Sequence, residues 1–170
     1  MKILNVIDDH DYEEGWPICH REAVRAIIYN GQKIALVISE KEGYYTFPGG
    51  GVEPHETHVQ TLIRETREET GLQVIPESIH DFGTVIEKRK SIYGKAEIFE
   101  QYSYYYLAKA KETITASCLE TYEEELGYRL AFIDLQLAYE TNRQRQEDDE
   151  GSFLAREVFI MKRLLERESM

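Results

Sequence analysis

The chain has 170 residues, 42% of them hydrophobic, which is enough for one domain with a substantial core and too few for two comfortable ones. Its 20 Lys and Arg against 32 Asp and Glu leave a formal net charge of -12, which opposes duplex DNA and anionic membranes but admits a small nucleotide, because divalent ions in a pocket reverse the local field. No apolar run reaches the roughly 18 residues of a membrane span, the first residues lack a signal-peptide core, and Cys19 and Cys118 form neither a metal-ligand pattern nor a disulfide framework; a cytoplasmic protein with buried or idle thiols is expected.

Lys2 to Ile7 reads as a short strand, and the acidic, aromatic segment Asp8 to Pro17 as a loop. Arg21 to Tyr29 and Lys33 to Ser39 are β-rich runs joined by Asn30-Gly31, the dipeptide favoured in a type I′ hairpin turn. Tyr44 to Phe47 is a short strand leading into the turn Pro48 to Gly51, whose glycines let backbone approach a ligand closely. A helix then runs from Thr57 to Thr70. Thr57 and Gln60 fit a capping box at its start, and Gly71 supplies a left-handed stop.

Leu72 to Ile75 is a brief strand broken by Pro76 to Ser78. Phe82 to Lys90 and Ala96 to Ala110 form a hairpin about a turn near Gly94, with Tyr102, Tyr104, Tyr105 and Tyr106 read first as sheet packing and, for one that faces a pocket, as a platform for a base. Lys111 to Glu125 is polar, and Gly127 to Ile133 is a further strand. Leu135 to Arg145 is helix-like, Gln146 to Gly151 an acidic turn, and Phe153 to Arg167 a final amphipathic helix. There is no internal repeat and no linker, so the expectation is a single domain over residues 1–170, an α/β fold with a mixed sheet covered by helices.

The helix from Thr57 carries the chemistry. Glu65, Glu68 and Glu69 stand at i, i+3 and i+4, so all three carboxylates share one face, which repels itself unless cations sit on it. Val59, Leu62, Ile63, Thr66 and Thr70 form a neighbouring stripe suited to packing on a sheet. Oxygen donors of this kind suit hard cations such as Mg²⁺, which share their sites with substrate phosphates. Arg64, four residues before Glu68, is placed to orient carboxylates and to reduce their repulsion. The histidines are scattered, and Tyr44, Tyr45, Phe99 and Cys118 read as core packing before they read as a base pocket.

Gly50, five residues, Glu56, seven residues, then Arg64-Glu65-Thr66-Arg67-Glu68-Glu69-Thr70-Gly71-Leu72 resembles the Nudix box, the signature of the Nudix hydrolase family. The resemblance departs at Thr66, where the family usually has a bulky aliphatic residue, and at His55, where many members have Gly. It implies an α/β/α sandwich with a mixed β-sheet and a catalytic loop-helix-loop, covering roughly residues 20 to 140. Glu65, Glu68, Glu69 and the Gly50 carbonyl would hold Mg²⁺ or Mn²⁺, with more than one ion when substrate is bound. Arg64 and Glu56 would act behind them, Glu56 either in the same network or on an ion through water. The general base would be Glu65 or Glu69, or a later-loop glutamate among Glu120, Glu123, Glu124 and Glu125, with Glu124 or Glu125 preferred.

The reaction so implied is cleavage of a phosphoanhydride in a nucleoside diphosphate linked to another group, foremost a nucleoside triphosphate of the 8-oxo-purine clean-up type. The alternatives are an ADP-ribose or nucleotide-sugar pyrophosphatase and a non-catalytic nucleotide-sensing module. A homodimer is common in the resembling family. No helix-turn-helix or basic face points to DNA.

Overall fold

A computed structural model describes residues 1–92, 94, 96–148 and 152–168. The order of elements is β1 (Ile3–Asp8), β2 (Ile18–Asn30), β3 (Lys33–Ser39), β4 (Tyr44–Thr46), α1 (His58–Thr70), β5 (Leu72–Val74), β6 (His80–Lys90), β7 (Ile98–Ala108), β8 (Ala110–Ile114), α2 (Thr121–Glu125), β9 (Tyr128–Ile133), α3 (Leu135–Asp148) and α4 (Ser152–Glu168). A single 3₁₀ turn at Pro76–Ser78 separates β5 from β6. The expected acidic turn at Gln146 to Gly151 begins inside α3, and its last residues, 149–151, lie outside the described set.

The main sheet is mixed and seven-stranded, in the order β1-β6-β7-β2-β3-β4, with β9 on the other side of β3. β2 runs parallel to β7 from Ile18 to Ile28 and meets β3 only at Tyr29–Ile34 and Asn30–Lys33, so this one long strand joins the two halves of the sheet. Alternation then decides the two layers. Val24, Ala26 and Ile28 of β2 join Leu62 of α1 in one core, while Ile27, Phe47 and Tyr105 pack with Leu135 of α3 and Ile160, Met161 and Leu164 of α4 in the other. Helices therefore cover both faces, the α/β/α sandwich that the resemblance implies. Among the described residues no helix is long and apolar enough to cross a membrane.

Three expectations need correction. Asn30 is not at the tip of the hairpin: it pairs with Lys33, and Gly31 and Gln32 form the loop. Only Gly31 has positive φ (+62°), the pattern of a turn with glycine at its first central position and not of Asn-Gly type I′. The run Ala96 to Ala110 is two strands, because Lys109 is drawn out of the ladder: its N–H donates to Ser78 Oγ at 2.8 Å and its carbonyl accepts from Ile75 N at 2.8 Å. The chain then turns away as β8 to pair with β5. Third, of the two readings of the thiols, buried or idle, the first does not hold: Cys19 and Cys118 are exposed and free.

Candidate active site

α1 starts and ends as its caps dictate. Thr57 accepts from Gln60 N while Gln60 Oε1 accepts from Thr57 N at 2.8 Å, and Gly71 at φ +72° returns its N–H to the Arg67 carbonyl. Leu62 and Thr66 are fully buried, as the packing stripe requires, but Val59 is exposed. Glu69 is buried with the packing residues, so the two stripes are not cleanly separate: one carboxylate is packed into the protein.

The glycine turn is pinned along β2. Ala26 N donates to the Pro48 carbonyl, Val24 N to the Gly50 carbonyl at 2.9 Å, and Val52 N to the Glu22 carbonyl at 3.0 Å. Gly49 at φ +138° has no room for a side chain, since a Cβ would strike the Val24 carbonyl. A Cβ on Gly50 would strike the Glu65 carboxylate. Turn and helix thus meet at these carboxylates.

One arginine serves three of the acids, and a backbone N–H serves the fourth. Gly49 N–H donates to Glu69 Oε2 at 2.7 Å. The Arg64 guanidinium grips Glu56 bidentately, Nε to Oε1 and Nη2 to Oε2 at 2.8 Å each, and its Nη1 reaches Glu65 at 2.7 Å and Glu68 at 3.2 Å. Those bonds hold the Glu56 carboxyl down to about 2. Glu65 is pushed up, first by burial, against the pull of Arg64. Burial pushes Glu69 to about 8, opposed by the charge of Arg25 and by the Gly49 N–H. A buried carboxylate with so high a proton affinity is poorly compensated by the protein alone.

Glu65, Glu69 and Gly50 line a cleft of about 340 Å³, with Glu120 and Glu123 also on its wall. Glu124 and Glu125, the preferred later-loop candidates, are exposed and do not line it. The cap of α2 explains this: Glu123 turns back to accept from Glu120 N at 2.8 Å and is 4% exposed, so the next two side chains on the helix rotate outward. Glu68 is also off the cleft; it is 43% exposed, pairs with Arg64, and faces a separate groove beside Cys118. Among the described residues no three His, Cys, Asp or Glu side chains converge at metal-holding distance, because Arg64 draws Glu56, Glu65 and Glu68 to itself while Glu69 is held at Gly49. The residues on the cleft nevertheless fit a hard divalent cation: the donors are oxygens only, the absent side chain of Gly50 lets the Glu65 carboxylate lie directly on the turn, and the Gly50 carbonyl, which accepts from Val24 N, keeps a second lone pair.

Several cleft residues escaped the sequence reading. Arg21 and Arg25 of β2 line it, and Arg25 is tethered by bonds to the Phe47 and Gly49 carbonyls. Tyr44, Tyr122, Tyr128 and Phe153 supply aromatic wall; Tyr44 and Tyr128 share a hydroxyl hydrogen bond of 3.0 Å, and the Tyr44 and Phe153 rings meet edge to face at 5.1 Å. Of the four residues read as core packing, Tyr45 packs on the α3 and α4 core and Phe99 lies beneath Arg89, whereas Tyr44 faces the cleft and Cys118 the neighbouring groove. Glu157 of α4, fully buried, accepts from Phe47 N at 2.9 Å and so props the turn from behind. Two arginines at i and i+4, on one face of β2, were the one available signal.

Comparison with known proteins agrees with this geometry. The profile described as NUDIX domain matches residues 20–156. The chain is 45% identical over 56 residues to the CTP pyrophosphohydrolase of Escherichia coli K12, an alignment covering 31% of this chain and 42% of that protein. It is 31% identical over 86 residues to Nudix hydrolase 2 of Arabidopsis thaliana, covering 47% of this chain and 30% of that one. The chain thus matches less than half the length of either curated relative. In fold it resembles a NUDIX hydrolase from Nitrosomonas europaea (19% identity, 86% of this chain and 90% of that chain, TM-score 0.57) and a MutT NUDIX hydrolase from Burkholderia pseudomallei (20% identity, 69% and 85%, TM-score 0.50). With its box on a capped helix against a mixed sheet and the domain profile running from residue 20 to 156, the chain belongs to the Nudix family.

Proposed function

We propose that the chain, acting as one domain, hydrolyses a phosphoanhydride bond of a nucleoside triphosphate to give a nucleoside monophosphate and pyrophosphate. The observation that carries this reading is the meeting of Glu65, Glu69 and Gly50 on one wall of a cleft that also contains Glu123, two arginines and an aromatic end. Mg²⁺ or Mn²⁺ bound by these oxygens would supply positive charge against the polyphosphate and make water more acidic. Arg64 holds Glu65 and, through Glu56, fixes its own orientation, while the Gly49 N–H holds Glu69. Glu68, paired with Arg64 and facing the groove beside Cys118, would join the metal-holding set only by leaving that pair and turning towards the cleft. The proton lost by the attacking water goes to Glu65 or Glu69, with Glu123 replacing Glu124 and Glu125 as the candidate from α2.

The triphosphate class is supported by the E. coli relative, whose name gives CTP as its substrate. Within that class, an 8-oxo-purine triphosphate and CTP are the first two to compare, against ADP-ribose and a nucleotide sugar. Glu69→Gln tests the reading: turnover falls by several orders of magnitude with folding intact, and near-normal hydrolysis by this variant overturns it.

A further inference from the structure

Arg21 poses a specific question. The protein carries 32 acidic and 20 basic residues, and four carboxylates line the cleft that Arg21 also lines, yet among the described residues this exposed guanidinium has neither an ion pair nor a hydrogen bond. Solvent satisfies such a cation, and no internal bond holds it away from a ligand in the cleft.

Its position within the cleft supplies the account. The turn from Pro48 to Val52 runs antiparallel to β2, bonding in succession to Ala26, Val24 and Glu22. Glu69 attaches at Gly49, Glu65 abuts Gly50, and the Arg21 Nη2 lies 3.1 Å from where a Cβ on Gly51 would sit. Tyr44, with Tyr128 and Phe153, lies before the turn, at the other end of the same path. The cleft therefore reads aromatic, then carboxylate, then cation. Arg25, on the same face of β2 and roughly 13 Å of strand away, belongs to the middle zone, where its Nε is buried and without a partner.

We infer that Arg21 anchors the terminal phosphoryl group of a nucleoside triphosphate, and so selects triphosphates over nucleotides linked to an uncharged sugar. This rests on the proposed pyrophosphohydrolase reading and names the part of its substrate that the cleft recognises. A base stacks on the aromatic end and the scissile anhydride lies among the carboxylates. The anionic tail emerges beside Gly51, where carboxylates alone would repel it. Guanidinium is suited to that task because it forms paired, charge-assisted bonds to phosphoryl oxygens.

The test uses the full chain and its Arg21→Gln and Arg21→Lys variants, which disturb no internal bond. Calorimetry with inorganic pyrophosphate and Mg²⁺ should show at least tenfold weaker binding by Arg21→Gln, partly restored in Arg21→Lys. In turnover, Arg21→Gln should raise KM for a nucleoside triphosphate about tenfold with kcat within twofold, and leave KM for a nucleotide sugar within twofold. Unchanged pyrophosphate affinity, or an equal rise in KM for both substrates, overturns the anchor while leaving the hydrolase reading in place. Loss of pyrophosphate affinity in a protein whose wild type turns over nothing upholds the anchor and overturns the hydrolase reading.

Discussion

Gly49 donates its backbone N–H to Glu69 Oε2 across 2.7 Å, so the glycine turn and the acidic helix are joined through a buried carboxylate. Burial raises that carboxyl to about 8 from an ordinary value near 4.5. A raised carboxyl contributes stability that is fully present below pH 4.5 and is lost as pH rises to 8. Glu69→Gln keeps an acceptor for Gly49 and removes the charge. Without divalent ions, its Tm should match wild type near pH 4 and exceed it by several degrees above pH 8. Differential scanning calorimetry across that range reads the gap, and added Mg²⁺ should raise the Tm of wild type more than that of the variant.

Glu56 behaves in the opposite sense. Arg64 holds its carboxyl down to about 2, so the pair stabilises the folded state above pH 4.5 and loses that contribution as pH falls towards 2. Glu56→Gln should cost about 1–2 kcal/mol at pH 7, the worth of a charge-assisted pair that is partly exposed. Urea unfolding should show this difference closing between pH 4.5 and 2.

Gly50→Ala separates fold from chemistry. Gly50 does not have positive φ, and the atoms a Cβ would meet are the movable end of Glu65. Melting should therefore change little while the Glu65 carboxylate is displaced. Turnover should fall at least tenfold, measured beside a thermal melt of the same preparation.

Thr66 stands where the family usually has a bulky aliphatic residue. It is fully buried, as expected of a packing position, but its Oγ1 has no hydrogen-bond partner. An unsatisfied buried hydroxyl costs about 1–3 kcal/mol, so Thr66→Val should stabilise by about 1 kcal/mol in denaturant titration and leave kcat unchanged.

The parts of the molecule that were legible in the sequence are those fixed by local rules. Thr57, Gln60 and Gly71 set the ends of α1 through contacts within a few residues, and the spacing of Glu65, Glu68 and Glu69 follows from helical periodicity alone. What the sequence left open depends on tertiary contacts. Glu123 faces the cleft because of how α2 is capped, and nothing in a run of three glutamates distinguishes it from Glu124 or Glu125. Phe153 meets Tyr44 only because α4 packs back across the sheet. The burial of Glu69 depends likewise on the turn closing over it.

Phosphorus-31 NMR of the wild-type chain with a nucleoside triphosphate and Mg²⁺ tests the central claim most directly. The expected products are pyrophosphate and a nucleoside monophosphate in equal amounts, with none formed when Mg²⁺ is chelated. Release of single inorganic phosphate and a nucleoside diphosphate, or no product over hours from triphosphates of both purine and pyrimidine type, would contradict it.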